Sequence, residues 1–207
     1  MELREALAQI SEIRQQMART EVFRGYRAAT VAFSGLVAVA TAGVQSLLVP
    51  TPTHDIREYL LLWVGAALLS IVVFGIDQYL RYQRSITHWQ RDISAMAVEQ
   101  FLPCLVAGAT TTYVIVEFAR DEIWMLPGLW SVIFSLGIFA SRRLLPFAVF
   151  YVAAFYLLAG LYILARGQGD NALSPWFMGV TFGLGQFFSA TILYWYLERN
   201  PHGEEQA

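Results

Sequence analysis

Five uncharged polar residues lie in the middle of long apolar segments and are the first candidates for chemistry. If those segments span a membrane, their amide and hydroxyl groups could bind a neutral or weakly polar solute at mid-membrane. They could equally hydrogen-bond between helices, for about 0.6–2 kcal/mol each. Both interpretations stay open at this point. The residues are Gln186, Thr110, Thr111, Ser70 and Ser131.

The carboxylates closest to the apolar segments are Asp77 and Glu99. Each lies near the end of its segment that is on the side of the chain termini. Together they could form an acidic vestibule that attracts cations. The alternative is local pairing, because Asp77 precedes Arg81 by one helical turn and Glu99 can reach water or the pair Arg142 and Arg143.

No catalytic, metal-binding or nucleotide-binding motif occurs in the sequence: HExxH, GxSxG and P-loop patterns are all absent. The single cysteine, Cys104, excludes an internal disulfide and a cysteine-based zinc site. His54 and His88 lie in connections on opposite sides, which argues against haem ligation by paired histidines. We therefore predict a protein that is not an enzyme and has no metal or cofactor.

The composition is typical of a membrane protein, with 57% hydrophobic and 14% charged residues, against about 25% charged in soluble domains. The net charge of -2 argues against nucleic acid as a partner. A span needs about 17–25 apolar residues and must be helical, because lipid cannot satisfy the backbone. The sequence therefore predicts an all-α bundle of six transmembrane helices at 28–49, 59–80, 99–118, 124–140, 144–165 and 176–197.

The arginine distribution predicts how the spans are oriented. Arg57, Arg120 and Arg166 lie in connections on one side of the membrane, and the remaining eleven of the 14 basic residues lie on the side of the termini. Basic residues favour the cytoplasmic side. Both termini are thus predicted to be cytoplasmic.

Prolines, aromatic residues and small residues refine this picture. Proline is tolerated in the first turn of a helix, so three prolines were interpreted as marking helix starts. Tryptophan and tyrosine near span ends predict aromatic belts at the lipid interface. Small residues on one helix face predict close helix packing. The prolines are Pro103, Pro127 and Pro146; the belt residues are Tyr59, Trp63, Trp124, Trp176, Tyr194, Trp195 and Tyr196; the small-residue faces are Ser34, Ala38 and Ala42, and Gly179, Gly183, Gln186 and Ala190.

Two amphipathic segments are predicted outside the bilayer, a cytoplasmic helix at 1–24 and a helical connection at 81–96. Both carry a narrow apolar stripe at helical spacing. The stripes could pack on each other, lie on the inner leaflet, or bind a partner protein. Residues 25–199 are predicted to form the membrane domain, and residues 200–207 a disordered tail.

The last third of the chain, with LPGLW, LGIFASRR and FGLGQ, resembles short bacterial six-helix membrane proteins that have no assigned function. The resemblance implies a bacterial inner-membrane protein and no activity or site residues.

The sequence thus predicts a non-enzymatic protein with a regulatory or interaction role through its cytoplasmic helices. The expected partners are the lipid bilayer, a protein at the cytoplasmic face and a second copy of the chain. The alternative is a small transporter or channel for a neutral or cationic solute.

Overall fold

The computed structural model describes residues 28–49, 52–53, 55–84, 88–141 and 147–199. Over these residues the chain is all-α, and six helices are long and apolar enough to cross a membrane, which confirms the predicted six-helix bundle. The predicted helix at 1–24 and the tail at 200–207 lie outside the described residues, as do Arg142, Arg143 and Pro146.

The helices agree closely with the apolar segments of the sequence. A 3-10 helix, Arg120–Met125, leads into the fourth α-helix, and a π-helix, Tyr194–Arg199, continues the sixth. Because six spans are an even number, the two ends of the described chain lie on one side, here the terminal side; the opposite side is the far side. The helices are α1 Ala28–Leu48, α2 Ile56–Arg84, α3 His88–Phe118, α4 Leu126–Ala140, α5 Val149–Arg166 and α6 Pro175–Leu193.

Helices α2 and α3 are longer than the spans they contain. Their 29 and 31 residues correspond to about 44 and 47 Å at 1.5 Å per residue, against about 30 Å for the hydrocarbon core. The excess lies on the terminal side, where residues 81–84 end α2 and residues 88–98 begin α3. The interpretation of Pro103 as a helix start was wrong, because Pro103 lies inside α3, which begins further upstream.

Contacts between the helices place them in the order α2, α1, α6, α5, α4, α3. The most extensive contact joins α1 and α6, and the next joins α4 and α5. Helices α2 and α3, at the two ends of this order, touch each other only slightly. In the most apolar stretch of each span, 44% of the residues of α6 are buried, but only 11% in α2 and none in α3.

The α1–α6 contact is made by the two predicted small-residue faces, which confirms that they pack closely. A Cβ atom at Gly179 would collide with Ala42, and one at Gly183 would lie 2.6 Å from Cγ2 of Val39. Gly35 of α1 in turn faces Gln186 of α6. With no hydrophobic effect between helices in lipid, this close approach supplies the van der Waals contact that holds them together.

The α4–α5 contact depends on one glycine from each helix. A Cβ atom at Gly128 would lie 2.9 Å from the carbonyl oxygen of Gly160, and one at Gly160 would lie 2.8 Å from that of Gly128. The two backbones therefore meet directly. Ser135 adds a hydrogen bond across the same contact, donated by its hydroxyl to the carbonyl oxygen of Ala153 at 2.8 Å.

Candidate functional site

Gln186 is the only residue of the predicted mid-membrane set with a side-chain amide, and it lies where three helices meet. It belongs to α6, and its Cβ atom would be 3.1 Å from a Cβ atom placed at Gly35 of α1. Its side chain is also a hydrogen-bonding neighbour of the Tyr156 hydroxyl on α5. That hydroxyl lies 3.5 Å from the carbonyl oxygen of Phe182. Gln186 therefore participates in helix packing.

The hydroxyl groups of the predicted mid-membrane set bond mainly to their own helices. Ser70 donates to the carbonyl oxygen of Ala66 at 2.9 Å, and Ser131 to that of Pro127 at 2.9 Å. Thr110 is exposed on α3 and donates to the carbonyl oxygen of Val106 at 2.8 Å.

Thr111, on the same helix as Thr110, is half-buried. Within the described part of the chain, no hydrogen bond joins any of these four residues to Gln186. The set lies on α2, α3, α4 and α6, and a shared solute site stays a prediction.

Asp77 and Glu99 lie on the terminal side of adjacent helices in the chain. Asp77 is half-buried on α2, and Glu99 is exposed on α3. Helices α2 and α3 touch each other only slightly over the described residues. The acidic vestibule therefore stays a prediction.

Sequence reasoning missed one fully buried polar group of the described residues, the amide of Gln45 on α1. Gln45 is fully buried. Its Oε1 atom accepts a hydrogen bond from Nε1 of Trp63 on α2 at 2.6 Å. Its Nε2 atom donates to the carbonyl oxygen of Leu173, before α6, at 2.9 Å. One side chain thus ties α2 and the α5–α6 connection to α1.

Aromatic rings extend this arrangement to α3 and α4. Tyr59 of α2 stacks on Trp130 of α4 with ring centroids 6.4 Å apart and an interplanar angle of 6°. Nε1 of Trp130 donates to the hydroxyl of Thr112 on α3 at 2.8 Å. We call Gln45, Tyr59, Trp63, Thr112 and Trp130 the far-side cluster, because α2 enters it by its first turns. It connects four of the six helices.

One atom of the far-side cluster has no hydrogen-bond partner in the described part of the chain: the Tyr59 hydroxyl oxygen. Tyr59 is fully buried in a hydrophobic cluster that also contains Ala42, Leu126 and Met178. A buried hydroxyl without a partner costs about 1–3 kcal/mol. The cluster therefore combines two interhelical hydrogen bonds, Trp63–Gln45 and Trp130–Thr112, with one unfavourable group.

The far-side cluster corrects two of the aromatic-belt predictions. Tyr59 and Trp63 were expected at the lipid interface, but they are 0% and 4% exposed. Their depth in the membrane was judged from distance to the span end, which does not tell which face of the helix they occupy. Trp176, Tyr194, Trp195 and Tyr196 are about half exposed, as a belt requires.

One pattern in the sequence could have indicated that Gln45 is buried in the bundle. The small-residue face of α1 runs through Ser34, Ala38 and Ala42, and the next helical position on that face is 45. A glutamine that continues a packing face must find its hydrogen bonds inside the protein. Trp63 could not have been recognised as its partner, because nothing in the sequence of α2 sets which face of α2 meets α1.

No protein-family model, curated protein or solved structure matches this chain. The described residues contain no group of three histidine, cysteine, aspartate or glutamate side chains placed to hold a metal ion. A groove of about 350 Å³ lies on the α5–α6 surface, lined by Phe155, Leu184, Phe187, Phe188 and Thr191. The Thr191 hydroxyl donates to the Phe187 carbonyl oxygen, so this groove offers an apolar surface.

Proposed function

We propose that this integral membrane protein has a non-enzymatic, regulatory or interaction role. Its partner would pack on α2 and α3, both within the bilayer and on their terminal-side ends. The arginine distribution supports an orientation with both termini in the cytoplasm, and the resemblance of the last third of the chain supports a bacterial inner membrane. On that orientation the ends of α2 and α3 reach the cytoplasm.

The observation that carries the proposal is the unequal burial of the spans. Helices α1, α4, α5 and α6 pack on each other through glycine, alanine and serine, whereas the membrane spans of α2 and α3 bury few or none of their side chains. The same two helices continue beyond the bilayer by about three turns for α3 and one for α2. An exposed pair of long helices offers a partner protein a surface that spans both membrane and cytoplasm.

The alternative, a small transporter or channel for a neutral or cationic solute, has less support. A polar path needs side chains that present free hydrogen-bonding groups to a solute. The hydroxyls of Ser70, Thr110 and Ser131 instead donate to carbonyl oxygens of their own helices. Flux of a neutral solute or a cation through reconstituted liposomes, abolished by Gln186→Leu, would favour the transporter and contradict the proposal.

Site-specific photo-cross-linking in native membranes tests the proposal directly. A photoreactive amino acid would replace Leu68 on α2, which is 56% exposed, or Gln83 on its terminal-side extension. The matched control is Leu158 on α5, which is 66% exposed. We expect one protein adduct of the same mass from both α2 positions and lipid adducts alone from Leu158. Lipid adducts alone from all three positions would overturn the proposal.

A further inference from the structure

Among its described side chains, helix α2 has buried ones near one end only. Its buried side chains, Tyr59 and Trp63, both lie in its first two turns, inside the far-side cluster. From Val64 to Leu80 every side chain of α2 is half-buried or exposed. Neither Gly65 nor Gly75 has an atom within 4 Å of the position that a Cβ atom would take. The position of α2 therefore depends on the far-side cluster.

Two interactions within that cluster act in opposite directions on α2. The Trp63–Gln45 hydrogen bond, 2.6 Å long and buried, holds α2 against α1. The Tyr59 hydroxyl opposes this, because docking buries it without a described partner. Tyr59 lies in the first turn of α2, which begins at Ile56, so a short outward movement would bring the hydroxyl to the interface, where water and lipid headgroups accept hydrogen bonds.

We propose that α2 has two positions of similar free energy: the docked position described above, and a released position in which Tyr59 and Trp63 leave the far-side cluster. In the released position α2 separates from α1 and turns the face of Gln45 toward the membrane. The far-side cluster is thus a switch that sets how much of α1 a partner or lipid can reach. This inference rests on the packing of α2 and not on the proposed function.

Two substitutions in the same cluster should shift α2 in opposite directions. Tyr59→Phe removes the unpartnered hydroxyl and keeps the ring that stacks on Trp130, so the population of the docked position should increase. Gln45→Leu removes the hydrogen-bond acceptor for Trp63, so the population of the released position should increase. We expect each to change the ratio of the two positions by roughly 5-fold or more. Two substitutions that merely loosened packing would shift the ratio in one direction.

Distance measurement between spin labels in lipid nanodiscs tests the inference on the full chain. Cys104 would be replaced by alanine, and labels would be placed at Val72 on α2 and Leu158 on α5, both more than half exposed. The control pair is Leu158 and Leu184, which belong to α5 and α6. We expect two distances for the first pair and one for the control.

In this experiment Tyr59→Phe should enrich the shorter distance and Gln45→Leu the longer one, with the control pair unchanged. If Gln45→Leu does not fold, Trp63→Phe removes the same hydrogen bond and keeps the Gln45–Leu173 bond, and it should also enrich the longer distance. A single distance that is the same in all variants would overturn the inference. A shift of both variants in one direction would overturn it as well.

Discussion

Helices α2 and α6 differ in a way that reverses what is expected in water. The span in α2 is the most apolar of the six, yet only Tyr59 and Trp63 are buried in it. The span in α6 is among the least apolar, with three glycines, serine, threonine and Gln186, and it has the largest buried share. In lipid an apolar side chain gains nothing by leaving the solvent, so small and polar residues make the contacts.

The comparison teaches that hydropathy and packing carry separate information in this chain. Hydropathy decides which segments cross the membrane. Glycine, alanine and hydrogen-bonding side chains decide which segments touch each other. The substitutions below test this separation, beginning with the largest expected effect on the free energy of unfolding.

Gly160→Leu should destabilise the protein most, by about 3 kcal/mol, because the Gly160 Cα faces the backbone of Gly128 and overpacking there forces α4 and α5 apart. Gly75→Leu on α2 is the matched control and should change stability by less than about 0.5 kcal/mol. Unfolding in mixed detergent micelles measures both. If Gly160→Leu does not fold, Gly160→Ala should give a smaller loss of the same sign. If Gly160→Leu and Gly75→Leu lowered the free energy of unfolding equally, α5 would not be more closely packed at its glycine than α2 is.

Gln45→Leu should cost about 2 kcal/mol, because the hydrogen bond between Trp63 of α2 and α1 is lost and the Leu173 carbonyl oxygen loses its donor. Gln186→Leu should cost less, about 0.6 kcal/mol, since it loses one interhelical interaction with Tyr156. The same unfolding assay compares the two. If Gln186→Leu lowered the free energy of unfolding more than Gln45→Leu, the more stabilising of these two polar contacts would be the one at mid-membrane.

Ser135→Ala should cost about 0.6–1.7 kcal/mol, because it removes the hydrogen bond from α4 to the Ala153 carbonyl oxygen of α5. Thr110→Val is its control, since that hydroxyl donates to its own helix and faces outward. We expect no measurable change for Thr110→Val. If both substitutions cost the same, intrahelical and interhelical hydroxyl bonds would be equivalent here.

Gly65→Ala should give the smallest effect and a favourable one, a gain of about 0.4–1 kcal/mol, because alanine restricts the unfolded chain and meets no neighbour at this position. Gly183→Ala on α6 is the opposite case, since its Cβ would lie 2.6 Å from Val39, and it should destabilise. Thermal unfolding in detergent separates a gain from a loss. A loss at Gly65 would show that α2 packs more closely than its exposure indicates.

The sequence was sufficient to predict the six spans and the small-residue faces of α1 and α6, because both are local patterns, but it did not predict that these two faces pack on each other. It was not sufficient for the far-side cluster, whose members come from four helices. The partners of Gln45 lie 18 and 128 residues away, and no local pattern sets the helix faces that bring them together. The Gly128–Gly160 contact was not predicted for the same reason, since neither glycine belongs to a small-residue face that was recognised in its own helix.

Pro103 shows a different limit. A proline near the start of an apolar segment was interpreted as a helix start, but α3 begins at His88 with residues too polar for the bilayer. The end of a hydrophobic segment and the end of a helix are separate events. The hydrophobic segment ends where the lipid hydrocarbon ends, whereas the helix ends where its backbone hydrogen bonding ends.

The contact between α1 and α6 joins the first span to the last, which has a consequence during translation. The ribosome completes α1 at Leu48 and α6 at Leu193, 145 residues later. At about 5–20 residues per second this takes roughly 7–30 s. The α4–α5 pair can form in that interval, while the glycine and alanine face of α1 waits in lipid. Any chain that stops short of α6 leaves that face uncovered, and this offers membrane quality control a simple mark of incomplete synthesis.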